Sequence, residues 1–328
     1  MGGTFADREK EKVMENNEQS AKRKRLTPRV KSRLIFYWAM LALPLICNVL
    51  MYVVVNMNAI LKAFQTYKIG KSGYETSFAY LDNFRVAVQF LKDADYMITN
   101  SIIVWLVSTA VGMTLSLVFS FHIYKKYLMS GFFKTMLFLP QIISAMVLSL
   151  LFKYCVTGVY SHFAEKITGE FTVGLLDGDL DTKFNTILIY HVWISFGVRV
   201  LMFSNGMSGI DEAIVEAAEL DGAGTVQEFI HITLPMIYPT IVSFFIISLT
   251  SIFTEQLHLF GMYGISAKEI GTLGYYLYIQ TLSASEVATG GYYSYGQLSA
   301  VGLILTAIAI PLILGSKKLM YKFGPSIN

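Results

Sequence analysis

The stretch Glu216-Ala217-Ala218-Glu219-Leu220-Asp221-Gly222-Ala223, with nine residues between Gly222 and the quartet Ile232-Thr233-Leu234-Pro235, decides how this chain is read. It is polar and helix-forming, yet an apolar run long enough to cross a bilayer lies on either side of it. Ser208 and Asp211 have the spacing of a capping box, Ile214, Ala217 and Leu220 fall on one helical face, and Gly222 and Gly224 end the helix. Thr225 and Glu228 have the spacing that starts a second short helix. Phe229, Ile232 and Leu234 give that helix an apolar side before Pro235 opens the next one. A helix-turn-helix held between two membrane spans is a docking surface, because the spans fix its position while its polar side stays in water.

Working outward, 54% of the 328 residues are hydrophobic and mean hydropathy is +0.51, outside the usual range of a soluble domain. Apolar runs of bilayer length, roughly 20 residues, extend approximately over Leu34 to Val55, Met97 to His122, Thr135 to Cys155, Phe184 to Asn205, Met236 to Met262 and Gln297 to Leu314. The expected fold is an all-α integral membrane protein of about six helices. Residues 1–33 are charged and almost free of large apolar side chains, so they are expected to be a disordered basic tail. The membrane domain is expected over 34–322 with the docking loop at 206–235, and a short tail at 323–328. The first apolar run is too long for a cleaved signal and is expected to remain as a span.

Lysine and arginine set the orientation. Seven of them, Lys22, Arg23, Lys24, Arg25, Arg29, Lys31 and Arg33, flank the first span; Lys125, Lys126 and Lys134 follow the second; Lys317, Lys318 and Lys322 close the sixth. All three groups are expected in the cytoplasm, with both termini. Residues 206–235 carry acidic side chains and neither lysine nor arginine, but acidic residues weigh little in this rule and connectivity places the loop inside. The basic excess suits anionic headgroups, not nucleic acid. Cys47 and Cys155 lie in apolar helices without paired spacing, so no disulfide framework or zinc site is expected from them.

Glu-Ala-Ala at 216–218, Gly222 and Ile232-Thr233-Leu234-Pro235 resemble, without a gap, the cytoplasmic signature of the membrane permease subunits of bacterial ABC importers. Phe78-Ala79-Tyr80-Leu81-Asp82-Asn83-Phe84, Asn100-Ser101-Ile102, Leu137-Phe138-Leu139-Pro140, Trp193, Pro235 with Pro239, and Gly296-Gln297-Leu298-Ser299-Ala300 resemble, in order, elements of the carbohydrate-uptake branch. Two departures stand out: Asp211 occupies a position where proline is usual, and Tyr263 to Glu269 lacks the branch's glycine-rich run. The resemblance implies the type I importer permease fold, similar to maltose, glycerol-phosphate and multiple-sugar permeases. It implies a second permease, as a heterodimer, two ATPase subunits carrying ATP and Mg2+, and an extracellular binding protein that delivers a sugar or oligosaccharide. Glu216, Ala217, Ala218, Asp221, Gly222, Ala223, Leu234 and Pro235 are then the ATPase-coupling residues. The small alanines admit a partner groove closely, Glu216 can pair with basic groups, and the turn at Gly222 needs glycine's backbone freedom.

The chain shows no motor of its own. Gly70-Lys71-Ser72 is the nearest approach to a phosphate loop, but Gln65 stands where the first glycine belongs. Neither the zinc-protease nor the nucleophile-elbow motif is present, so no enzyme, bound cofactor or metal is expected. Polar groups inside spans point to a solute path, since burying them costs several kcal/mol unless they face water or a partner. Glu255 and Gln256, expected near the middle of the fifth span with His258 beyond them, lead. Gln141, Ser144, Tyr190, Trp193 and Asn205 follow, Trp193 reading first as packing. Glu255 has a second reading, a pair with a neighbouring subunit or a place near the outer surface. A permease for another solute, or a stand-alone secondary transporter, is the alternative function; no internal repeat or ladder of charges supports the latter.

Overall fold

The computed structural model describes residues 28–70, 73–285, 287–288 and 293–325. Among them six helices are long and apolar enough to cross a membrane: Pro28–Ala63, Asp95–Tyr124, Ala145–Thr168, Leu180–Met207, Tyr238–Tyr263 and Tyr295–Phe323. We call these the first to sixth spans. The chain divides into two units, Met1–Leu61 and Lys62–Asn328.

In the first unit the helix starts at Pro28, where a missing N–H costs nothing. Residues 28–33, expected in the tail, are therefore helical; residues 1–27 of that tail lie outside the described residues. Pro44 lacks the N–H that would bond the carbonyl four residues back, and a wide π turn follows over Val49–Val54.

The second unit opens on a feature absent from the sequence reading, an antiparallel hairpin of Gln65–Gly70 with Gly73–Phe78, registered from Gln65 opposite Phe78 to Gly70 opposite Gly73. The near-miss phosphate loop at Gly70 falls at its tip, and Lys71 and Ser72 lie outside the described residues. Helix Asp82–Asp93 follows, with Asn83, Ala87 and Phe90 buried at spacings of one helical face. Phe90 sits between Tyr276 and Tyr293, each ring centroid 5.1 Å away. Asn83 donates from Nδ2 to Ala63 O at 2.9 Å and Gln65 O at 2.8 Å, which ties hairpin to helix. Gly296, at the head of the sixth span, packs against one of these carbonyls: a Cβ there would stand 2.6 Å from Gln65 O. Asn100 donates to Gly271 O at 3.1 Å and Ser101 Oγ accepts from Leu273 N at 2.9 Å. These elements, read from sequence as permease-like, are thus buried polar clasps between segments distant in the chain.

The third span departs most from expectation. The expected run Thr135 to Cys155 is split: a helix Ser130–Ile142 ends two residues after Pro140, Ile143 and Ser144 are extended, and the span proper runs Ala145–Thr168. Proline removes an amide that a continuous helix would use. Lys153, a charge inside this span, donates to Met262 O at 2.7 Å, with its ammonium 5.2 Å from the Tyr263 ring.

Burial falls into separate clusters. Ala87, Phe90, Met97, Leu273, Ala300 and Leu305 join helix Asp82–Asp93 to the second and sixth spans. Leu176, Ile187, Tyr190, Leu257, Met262 and Tyr275 surround the broken end of the fifth. Phe121, Phe203, Met207, Ile210, Val215 and Ile237 join the far ends of spans two, four and five. The clasp at Asn83 gives a test. Asn83→Ala removes the donor from the buried Ala63 carbonyl, a cost of about 1–3 kcal/mol; the thermal midpoint in detergent should fall, and an unchanged midpoint would mean that the clasp carries no stability.

Candidate functional site

The segment at 206–235 is built as two helices with different caps from those expected. Helix Glu212–Leu220 is capped by Asp211, whose Oδ1 accepts from Ala213 N at 3.0 Å, while Ser208 Oγ turns back to Ser204 O at 2.9 Å. Asp211 caps because its backbone is extended, as an N-cap requires. In the second helix Gly224 takes the cap position and Gln227 Oε1 accepts from its N–H at 2.9 Å; Thr225 is already the first helical residue. The helix continues through a wide turn at Phe229–Thr233 into Leu234–Met236.

Between them the chain makes a Schellman turn. Ala223 N bonds Ala218 O at 2.9 Å, Gly222 N bonds Glu219 O at 3.1 Å, and Gly222 has φ +84°. Nothing lies within 4 Å of a Cβ added there, so a side chain at Gly222 would meet backbone strain and no clash. Val215 alone in the first helix is buried. Ile214, Glu216, Ala217, Leu220 and Asp221 are exposed, Leu220 to 89%, and Ala218 and Ala223 are half-buried. The face that carries Ile214, Ala217 and Leu220 is therefore outward, and Leu234 and Pro235 are half-buried.

A brace that the sequence reading missed holds this surface. Lys125, one residue past the second span, reaches Glu228 Oε2 at 2.9 Å and Glu219 Oε1 at 3.3 Å. Glu228 is 3% exposed, so its carboxylate depends on that ammonium. The Phe121 and Phe229 rings meet alongside at 4.9 Å. Burial opposes the charge on Lys125, but its hydrogen bonds to Glu228 and Glu219 outweigh it and hold the lysine pKa above its ordinary value. Lys125 had been read only as an orientation charge. The signal was present in a loop with six carboxylates and neither lysine nor arginine, which needs a cation from elsewhere.

The candidate path residues separate into two places. Glu255 is not mid-helix: helix Tyr238–Thr254 stops at it, Leu257 and His258 have φ of +53° and +58°, and a short helix resumes at Leu259. Its Oε1 accepts from Gln256 N at 3.0 Å and Leu257 N at 2.9 Å, replacing helical bonds lost at the break. His191 Nδ1 stands 3.6 Å from the same oxygen, and the Tyr190 ring meets His258 edge-on at 5.8 Å with its buried hydroxyl unpartnered. Gln141 and Ser144 flank the break before the third span, where Gln141 donates to Ile194 O at 2.7 Å. Trp193 lines a groove of ≈ 580 Å³ with Val111, Leu115, Ile189 and Phe196. Asn185 is the groove's polar side chain, so it does not suit a sugar's hydroxyls. Asn205 stays exposed near the C-terminal end of the fourth span.

The family described as binding-protein-dependent transport system inner membrane component matches residues 108–327. The probable ABC transporter permease protein YurN of Bacillus subtilis is 28% identical over 212 residues, which cover 62% of this chain and 70% of that protein. The multiple sugar-binding transport system permease protein MsmF of Streptococcus mutans is 25% identical over 234 residues, 69% of this chain and 77% of that one. Among solved structures, a chain of the bacterial alginate ABC transporter in complex with alginate pentasaccharide-bound periplasmic protein has the same fold. Its TM-score is 0.67 at 22% identity, with 91% of this chain and 98% of that chain covered. The chain belongs to the family of binding-protein-dependent transport system inner membrane components. It is a permease of an ABC importer, and not the ATPase.

The brace can be tested without partners. Lys125→Met strands a buried carboxylate, a local cost of roughly 3–5 kcal/mol, so amides of residues 212–236 should lose hydrogen-exchange protection. Adding Glu228→Gln should restore part of it. The raised lysine contributes fully below its ordinary pKa and is lost only as pH rises through the raised one, so protection should stay flat from about pH 6 to 9. Protection unaltered by Lys125→Met would refute the brace.

Proposed function

We propose that this chain is one of two permease subunits, paired as a heterodimer, through which an ABC importer moves a sugar or oligosaccharide handed over by an extracellular binding protein. Two ATPase subunits, holding ATP and Mg2+, dock on residues 206–235. The single observation that carries this reading is the outward face of helix Glu212–Leu220: Ile214, Ala217 and Leu220 are exposed while Lys125 and the Phe121–Phe229 contact fix the segment from behind. An exposed apolar face on a rigid mount is what a partner groove needs. Glu216 beside it offers a charge to a basic partner.

The orientation rests on the same contact. Lys125 puts the loop after the second span on the docking side, and that loop carries the lysines that favour the cytoplasm. Both termini then lie in the cytoplasm as well. A sugar is favoured because MsmF is named for multiple sugars and the structural neighbour is an alginate transporter. ATP binding has to favour the outward-open state, since a ligand shifts an equilibrium only by its differential affinity. The rigid mount passes that preference to spans two, four and five. Glu255 and Gln256 at the break in the fifth span, with Gln141 and Ser144 at the break before the third, are the polar groups available to the solute, and Tyr190 of the fourth span lies buried.

Gly222→Val and Glu216→Lys test it. The first strains the left-handed turn by about 1–3 kcal/mol and the second opposes a basic partner. Both proteins should insert normally but lose ATPase subunits on purification or lose solute-stimulated hydrolysis. Full ATPase complement with normal coupling in both would mean that the docking surface has been misplaced.

A further inference from the structure

The fourth span and the break in the fifth bring together three side chains that the sequence keeps far apart: His191, Glu255 and His258 each offer an atom within 4.8 Å of the others. We propose that this cluster binds one divalent transition-metal cation of the Zn2+ type and ties the fourth span to the break in the fifth.

The His191–Glu255 spacing is that of ligands around an ion more than that of a hydrogen bond. His191 is 6% exposed and its Nδ1 has no hydrogen-bond partner. It faces Glu255 Oε1 at 3.6 Å, too far for a hydrogen bond. Two ligands bound tetrahedrally at 2.0–2.1 Å lie about 3.4 Å apart, so little movement closes the pair on an ion. His258 Nδ1 is likewise buried without a partner. Its left-handed backbone, next to that of Leu257, is a sparsely populated conformation held in place by the surrounding structure.

The donors select the class of ion. Two imidazoles and one carboxylate make a three-ligand set with a fourth position open, which suits Zn2+ and its borderline neighbours. The set has too few oxygens for Ca2+, and Mg2+ prefers carboxylates, water and phosphate. The amides of Gln256 and Leu257 fix the carboxylate, an outer-shell support of the kind metal ligands require. A cation also compensates the charge of Glu255 inside a membrane-spanning segment, where a lone carboxylate is costly. Spans four and five frame residues 206–235, so an ion joining them restrains the two spans that carry the docking surface.

The test uses the full chain with its partner subunits in nanodiscs, affinity tags removed, titrated with Co2+ as the spectroscopic probe. One Co2+ per copy of this chain should bind, with the absorption bands of a low-coordinate nitrogen and oxygen site. Zn2+ should displace it and Mg2+ should not. His258→Asn keeps a residue that accepts the left-handed backbone, and His191→Gln keeps a polar group of similar length. Each should weaken binding by more than the roughly 10- to 100-fold that loss of an outer-shell partner costs, with the metal-free thermal midpoint recorded to establish folding. Absence of stoichiometric binding in the parent, or binding that survives in both folded variants, overturns the site.

Discussion

The break in the fifth span imposes the constraint around which much of this molecule is arranged. When helix Tyr238–Thr254 stops, backbone groups come free in a segment that hydrocarbon cannot solvate, and each must be satisfied internally. The Glu255 carboxylate takes the amides of Gln256 and Leu257, and Thr272 Oγ1 donates to the Glu255 carbonyl. Gly274 then has to be glycine, because a Cβ would press into the backbone of Thr254 and Glu255. Helix Leu273–Ser283 therefore seats directly on the break, and Tyr275 closes the following loop by donating to Gly264 O at 2.7 Å. Irregular backbone at this depth exists only because the protein around it replaces water.

The same constraint explains what could be read from the sequence. Span number followed from apolar length, since a helix that crosses a bilayer must be apolar over most of its turns. The helix and turn over Glu216 to Ala223 were legible because a polar segment between spans has few folds available and Gly222 marks its turn. Breaks were not legible: hydropathy registers apolar length and is blind to whether residues 143–144 or 255–258 continue the helix. Glu255 was therefore set mid-helix, and the third span was set too early. Caps failed for a related reason. Ser208 and Thr225 have the right side chains, but capping is settled by which residue adopts extended backbone, and Asp211 and Gly224 do so. The hairpin at Gln65–Phe78 has strand composition too short and polar to stand out beside the spans.

Partnerships between distant residues were the other blind spot. Lys125 with Glu228, Asn83 with Ala63 O, and His191 with Glu255 join segments on different helices, and no local spacing encodes them. Composition gave one hint, a loop rich in carboxylates without a lysine or arginine. The Lys125 and Asn83 clasps fall at element ends, where orphan backbone groups and loop charges need partners, whereas within the spans Arg199 donates to Ser108 O at 2.8 Å and Ser120 to Val200 O at 2.9 Å.

The coupling proposed between residues 206–235 and the candidate path has a physical carrier in the fourth span. Phe203 and Met207 at one end belong to the cluster that seats Val215 and Ile237. Tyr190 and Ile187, nearer the other end, belong to the cluster around Leu257 and Met262. One helix of 28 residues, Leu180–Met207, thus has each end packed into a different cluster. A tilt applied at Val215 has to appear at Tyr190, because a continuous helix transmits rotation without a joint. The fifth span touches the same two clusters but is interrupted at Glu255. Of the two helices framing residues 206–235, one is continuous and the other is interrupted beside Tyr190, an asymmetry through which the movement proposed for the docking face would reach the candidate path.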